Sequence, residues 1–194
     1  MNTIETLFLR AKHWQIFLLL FAVPTVAEFA TIGFVKTNIR FWSDLNGATL
    51  LSLGAMLLSL LCFLAWYWSM GSFLTSIVDS ELKLNQGFFR FALLYPLLYV
   101  PIFFWFALTP GLGSAAFIIP LHLFCMFCLF YGLYFVSKNL VMAETGKPAS
   151  FYNYAGPFFL IWFFPIGIWF IQPRLNQLYA DRKYAEPSVQ ADIL

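Results

Sequence analysis

An all-α, multi-pass membrane bundle is the fold class this sequence predicts, and three observations predict it. Hydrophobic residues make up 61% of the chain and charged residues 10%, against roughly 45–50% and 25% in water-soluble domains. So few charges cannot cover a water-facing surface. Four apolar runs also reach about 20 residues or more, enough at 1.5 Å per residue to cross a hydrocarbon core of about 30 Å. Finally, the 25 Phe and 7 Trp suit a lipid solvent, where aromatic rings fill helix faces and mark the interfaces. The expected architecture is a single membrane domain over 1–194. It has four spans and a fifth apolar segment that is either re-entrant or spanning.

The first span is expected over about 14–35. Its start, LFLRAKHWQIFLLLFAVP, has a basic region before an apolar one and could pass for a secretory signal. The apolar run continues past Glu28 to Val35, however, which favours a span. The second span covers about 47–70 and ends in Trp66-Tyr67-Trp68, the aromatic belt expected at an interface. Its small residues Ala48, Ser52, Ala55, Ser59, Cys62 and Ser69 recur at spacings of three, four or seven and form one stripe where another backbone can approach. The stripe serves either packing within the monomer or a subunit interface.

Ser72 to Gln86 carries Phe73, Leu74, Ile77, Val78 and Leu82 at amphipathic spacing and reads as a helical extension. The third span, about 88–108, contains Pro96 and Pro101 and should bend. The uncharged turn TPGLGS leads to the fourth span, about 115–136, with a similar extension over Ser137 to Lys147. A shift of about 63 residues places Cys62 on Cys125 and Phe88–Tyr99 on Phe151–Trp162 with five aromatic coincidences, the pattern of a tandem duplication.

The fifth segment, about 155–172, includes FFLIWFFPIGIWFIQPR, and Pro165-Ile166-Gly167 could supply the turn of a re-entrant hairpin. If it re-enters and the N-terminus is cytoplasmic, Arg10, Lys12, Lys83, Arg90, Lys138, Lys147, Arg174, Arg182 and Lys183 lie inside, with Lys36 and Arg40 outside. That distribution is strongly positive-inside. If it crosses, the last three cations move out and the bias all but disappears. The duplication argues for a span, because Phe88–Leu108 crosses; the charges argue for re-entry. The tail over 173–194 reads as interfacial, anchored to anionic lipid by Arg174, Arg182 and Lys183.

Few residues invite chemistry. Glu28 lies inside a span, where an acid costs a few kcal/mol and turns towards a partner or a wet cavity. Glu28 and His122 each fall about seven residues from the expected outer ends of their helices, so a contact between them, as a proton or cation site, is one expectation. A structural hydrogen bond, or a Glu28 that reaches outward, is the other. His122, Cys125 and Cys128 share a helix face in HLFCMFC. They are weak zinc candidates, since one face supplies two or three ligands at most. The alternative is cysteines acting as small hydrophobes. GLGSAA sits in a turn with no strand before it, which excludes a dinucleotide-binding reading. No cofactor is expected. A net charge of +2 gives no reason to expect nucleic acid.

The runs FFLIWFFPIGIWFIQPRLN (Phe158 to Asn176) and LRAKHWQIFLLL (Leu9 to Leu20) resemble a set of small bacterial multi-pass membrane proteins. The resemblance implies an inner-membrane location and supplies no catalytic or ligand residues. The expected function is non-enzymatic: a membrane protein acting through helix packing, with the lipid bilayer and either itself or another membrane protein as partners. The alternative is a channel or proton-linked transporter using Glu28, with His122 and Tyr95 or Tyr99. An intramembrane enzyme centred on Cys125 or His122 comes third.

Overall fold

The computed structural model describes residues 3–37, 43–108 and 115–191. These residues are helical almost throughout. The elements are α1 (Thr3–Arg10), α2 (His13–Phe17), a π turn (Leu18–Ala22), α3 (Val23–Thr37), α4 (Ser43–Ile77), a 3₁₀ turn (Ser80–Leu82), α5 (Gln86–Leu108), α6 (Ala115–Thr145), α7 (Phe151–Trp162) and α8 (Phe164–Ala191). Four of these stretches are long and apolar enough to cross a membrane: His13–Ala30, Gly54–Ile77, Gln86–Phe106 and Phe117–Thr145. The TPGLGS turn and the cations Lys36 and Arg40 carry no structural account here: the turn and Arg40 lie outside the described residues, and the side chain of Lys36 is not described.

Local chemistry explains where the helices start and stop. The amphipathic α1 carries Glu5 in its first turn and Arg10 in its last, the arrangement that complements the helix dipole. A new start follows at once, with Lys12 N–H donating to Gln15 Oε1 at 2.8 Å. Within the first span Pro24 has no N–H, and its ring would press on the carbonyl one turn back. The chain widens into the π turn there, and Val23 N–H reaches Leu18 O. Asn85 caps α5 by accepting from Phe88 N–H at 3.0 Å. The left-handed Gly146 (φ +63°) closes α6.

The register of ring contacts fixes the directions. Helix α5 runs antiparallel to α6, with Phe88 against Tyr131 and Tyr99 against His122. It also runs antiparallel to α4, where Gly71 leaves room for the Phe89 ring, which a Cβ there would strike. Helix α7 runs antiparallel to α6 (Tyr134–Tyr154, Phe130–Phe158), whereas α8 runs parallel to α4 (Phe63–Phe164, Phe73–Tyr179). The α4–α5 and α6–α7 hairpins therefore match: adding 63 to Gly71 and Phe89 gives Tyr134 and position 152, two residues from Tyr154.

The fifth apolar segment is not one helix. Helix α7 ends at Trp162; Phe163 leaves helical geometry, with φ −88° and ψ 54°. Helix α8 then starts with Pro165 in its first turn, a position proline favours. The chain doubles back so tightly that a Cβ on Gly167 would collide with the Leu160 carbonyl. The segment is thus a helical hairpin with its turn two residues before Pro165. The spanning twin of α5 suggested by the duplication is broken at that point.

Helices α4 and α6 have 35 and 31 residues, about 52 and 46 Å. The buried core gathers at one end of them. Large exposed apolar residues stop at Leu61 on α4 and Phe127 on α6, while Trp66, Met70, Phe73 and Leu74 face Leu133, Phe135, Val136 and Leu140 in one cluster. Trp66 and Tyr67, expected in an interfacial belt, are instead 1% and 2% exposed. Helix α4 continues beyond them to Ile77; Gln172 of α8 bonds Trp66, and the Tyr67 ring lies against α6 at Gly132. Trp68 alone of the three stays half-buried, beneath the Arg90 guanidinium at 5.3 Å.

Candidate functional site

The polar residues singled out from the sequence, Lys183 apart, have definite places. Glu28 sits on α3 against α4, where its carboxylate accepts the Ser52 hydroxyl at 3.0 Å. Leu19, Val23, Pro24 and Ala27 meet Ala55, Ser59 and Cys62 along the same contact. Ala55, Ser59 and Cys62 of the small-residue stripe therefore face α3, and Ser52 on it supplies the partner of the intramembrane acid. The side chain of Ala48 lies outside the described residues.

His122 belongs to a different helix pair. Its Nδ1 lies 2.8 Å from the Tyr99 hydroxyl, the tautomer deciding which group donates. Tyr95 stacks on Tyr99 (ring centroids 6.2 Å apart, 9° between planes) and donates to Leu121 O at 3.3 Å. Glu28 and His122 are thus bonded within α3–α4 and α5–α6 respectively, and the expected Glu28–His122 hydrogen bond is not formed.

His122 is exposed, whereas Cys125 and Cys128 are buried free thiols. Three consecutive ligands of one helix face are thereby divided between its surface and its interior. Cys62 lies on the α3 side of α4. Among the described residues no three His, Cys, Asp or Glu side chains gather as a metal site. Of the tail cations, Arg174 forms an ion pair with Glu144, Nε donating to Oε1 at 2.7 Å, and so fastens α8 to α6. Arg182 donates to Ser76 Oγ at 2.8 Å. The side chain of Lys183 is outside the described residues.

Sequence reasoning passed over a buried amide that joins three parts of the chain. Gln172, wholly buried, accepts from Trp66 Nε1 at 3.0 Å and donates to Phe8 O at 2.9 Å and Ala11 O at 3.0 Å. Asn176 also donates to Ala11 O at 3.1 Å. These amides take up the carbonyls freed where α1 stops and α2 begins. The one sequence signal was an amide one helical turn before Asn176 at the end of an apolar run.

The chemistry within reach of this arrangement is limited. A tyrosine–histidine pair can pass a proton or bind a polar group, and it lies on the half of α5–α6 away from the buried core. Compared with protein-family models, curated proteins and solved structures, the chain matches none of them.

Proposed function

We propose that this chain is a non-enzymatic, four-span protein of the bacterial inner membrane that acts through its helix surfaces, as a homo-oligomer or as an accessory subunit of a membrane complex. The observation that carries this reading is the exposed ring of His122, which is bonded to the buried Tyr99. His122 lies seven residues into α6, about 10 Å from its outer end. A histidine facing hydrocarbon at that depth is costly unless another protein surface covers it. Polar side chains on such faces hydrogen-bond across helices. Helices α5 and α6 both present exposed apolar residues along this half, with Leu98 69% and Phe117 77% exposed. The transporter reading needs Glu28 and His122 on one path, and their separate partners weigh against it.

In this reading the α7–α8 hairpin is re-entrant and both termini are cytoplasmic. Helix α7 has 12 residues, about 18 Å, too short for a core of about 30 Å. Its tip is level with Phe130, fifteen residues or about 22 Å from the outer end of α6. Re-entry also returns Arg174, Arg182 and Lys183 to the positively charged side.

The test is disulfide cross-linking in native membranes, in a chain freed of Cys62, Cys125 and Cys128. A cysteine at Phe117 or Leu121 is expected to give a cross-linked dimer or one defined larger adduct, while one at Val26 on the α3 face stays monomeric. His122→Leu should reduce that adduct. Uniformly monomeric protein at every position would overturn the proposal. A further cysteine at Ser188 should resist impermeant thiol reagents until the membrane is opened, and labelling from outside would refute the topology.

A further inference from the structure

A groove of about 520 Å³ lies in the elbow between α1 and the start of the first span. Thr3, Thr6, Leu7 and Arg10 line one side of it, and their spacing puts them on a single face of α1. Gln15, Ile16 and Leu19 line the other side and belong to the span, which begins at His13. The groove therefore straddles the membrane boundary. Arg10 and Gln15 flank that boundary, while Leu19 lies about 9 Å inside it. The apolar lining is open to the surroundings, with Leu7 62% and Leu19 37% exposed.

The charges are arranged to match. On the opposite face of α1, Phe8 and Leu9 enter the core, and Glu5 accepts from Trp68 Nε1 at 3.3 Å. The groove is left with a cation and, among the described residues, no acid. Several other cations are engaged by the protein: Arg174 pairs with Glu144, Arg182 donates to Ser76, Lys138 donates to Tyr134, and Arg90 lies over Trp68. The Arg10 side chain is exposed and has no hydrogen bond or ion pair with any described residue. Within the groove the Thr6 hydroxyl donates to Thr3 O at 2.7 Å, and Gln15 Oε1 accepts from Lys12 N–H at 2.8 Å. The groups still open there are donors: the Arg10 guanidinium, the Thr3 hydroxyl and the Gln15 amide N–H.

Donors without a competing acid suit an anion, and a guanidinium fork matches the oxygens of a phosphate. The apolar strip beside them, inside the span, suits an anion joined to hydrocarbon. A soluble phosphate would leave Leu7 and Leu19 uncovered, and a zwitterionic headgroup would bring a cation towards Arg10. We propose that this groove binds one anionic phospholipid, with its phosphate on Arg10, Thr3 and Gln15 and an acyl chain along Leu7 and Leu19. The volume lies within the roughly 300–1,000 Å³ of ligand sites; it holds the headgroup and the first part of a chain, and the rest stays in the bilayer. The lipid contact expected of Arg174 and Arg182 in the tail thus moves to the other end of the chain. The inference rests on the first span crossing the bilayer and is independent of the reading given to the His122 surface.

The experiment uses the full chain in phosphatidylcholine nanodiscs containing phosphatidylglycerol with a diazirine on one acyl chain, and labelled peptides are mapped by mass spectrometry. Saturable labelling of the α1 and α2 peptides is expected. Unlabelled phosphatidylglycerol should displace it; the same mole fraction of phosphatidylethanolamine, or glycerol 3-phosphate in solution, should not. Arg10→Gln breaks no bond within the described residues and should keep the fold, while raising the half-saturating mole fraction about tenfold or more, the worth of a hydrogen bond to a charged group. Lys147→Gln, which removes an exposed cation outside the groove, should change it far less. Labelling that never saturates, or is spread over all helices, overturns the site, as does Arg10→Gln binding like the parent chain. An equal effect of Lys147→Gln leaves only a general attraction of the basic surface. Equal displacement by phosphatidylethanolamine removes the charge selectivity, and displacement by glycerol 3-phosphate makes it a site for a soluble anion; each of these results overturns the assignment.

Discussion

Replacing Gln172 by leucine tests what holds the N-terminal helix in place. The substitution keeps most of the side-chain volume and removes both ends of the amide. Trp66 Nε1–H and Phe8 O then lose their partners, while Ala11 O keeps Asn176. Each orphaned buried group costs about 1–3 kcal/mol, so the loss should be about 2–6 kcal/mol. That is a large share of an ordinary folding free energy of about 5–15 kcal/mol. The damage should be local first, because α1 is joined to the rest through this amide, the Leu9 contact with the core and the Trp68–Glu5 hydrogen bond. Amide exchange by mass spectrometry in micelles reads it directly. A loss of about 4 kcal/mol corresponds to roughly a thousandfold faster exchange over residues 3–12, with the middle of α6 unchanged at first. A double-mutant cycle with Trp66→Phe separates the pair, since the second change should cost less once the first is made. If exchange in α1 is unaffected by Gln172→Leu, or if the two substitutions simply add, the amide does not anchor the helix.

Four further outcomes follow from the packing. Gly167→Ala pushes a methyl into the Leu160 carbonyl and should destabilise the hairpin by about 1–3 kcal/mol, seen as faster proteolysis near Phe163. Gly156→Ala, where the same methyl meets nothing within 4 Å, should be neutral or stabilise by up to about 1 kcal/mol. Ser52→Ala leaves the Glu28 carboxylate without its hydroxyl donor and should cost about 0.6–2 kcal/mol by thermal unfolding in detergent, whereas Ser52→Thr should retain most of that. Glu144→Gln should change stability by about 1 kcal/mol or less and mainly at low salt, because both partners of the Arg174 ion pair are about a third exposed.

What was legible in the sequence was what solvent dictates. An apolar run must be a helix in lipid, so the four spans and the extension of the fourth to Thr145 could be read before any coordinates. The Pro165–Gly167 signal correctly marked a reversal, displaced by two residues because proline belongs just inside a new helix. The small stripe of α4 was visible, although its partner was not. What stayed hidden depends on which helices become neighbours. Depth along the chain put Glu28 and His122 at similar levels, but α3 packs on α4 and α5 on α6, so each found a closer partner. The burial of Trp66 and Tyr67 could not be read either, since α8 and α6, which pack on them, lie far from α4 along the chain. Gln172 looked like the polar edge of an apolar segment, and its role depends on carbonyls exposed by a break more than 160 residues earlier.

That separation has a consequence for the order of assembly. Phe8 and Gln172 stand 164 positions apart, and Trp66 and Gln172 stand 106 apart. The first helix thus leaves the ribosome long before the residue that holds it in place. Until the segment carrying Gln172 has been made, the carbonyls of Phe8 and Ala11 and the Trp66 indole have only water, lipid headgroups or an insertion factor to satisfy them. All four long apolar helices precede that residue in the chain. Docking of α1 through this amide therefore waits until the four spans have been made, and a truncation just before Gln172 would leave the spans inserted with the Phe8 carbonyl and the Trp66 indole unpaired.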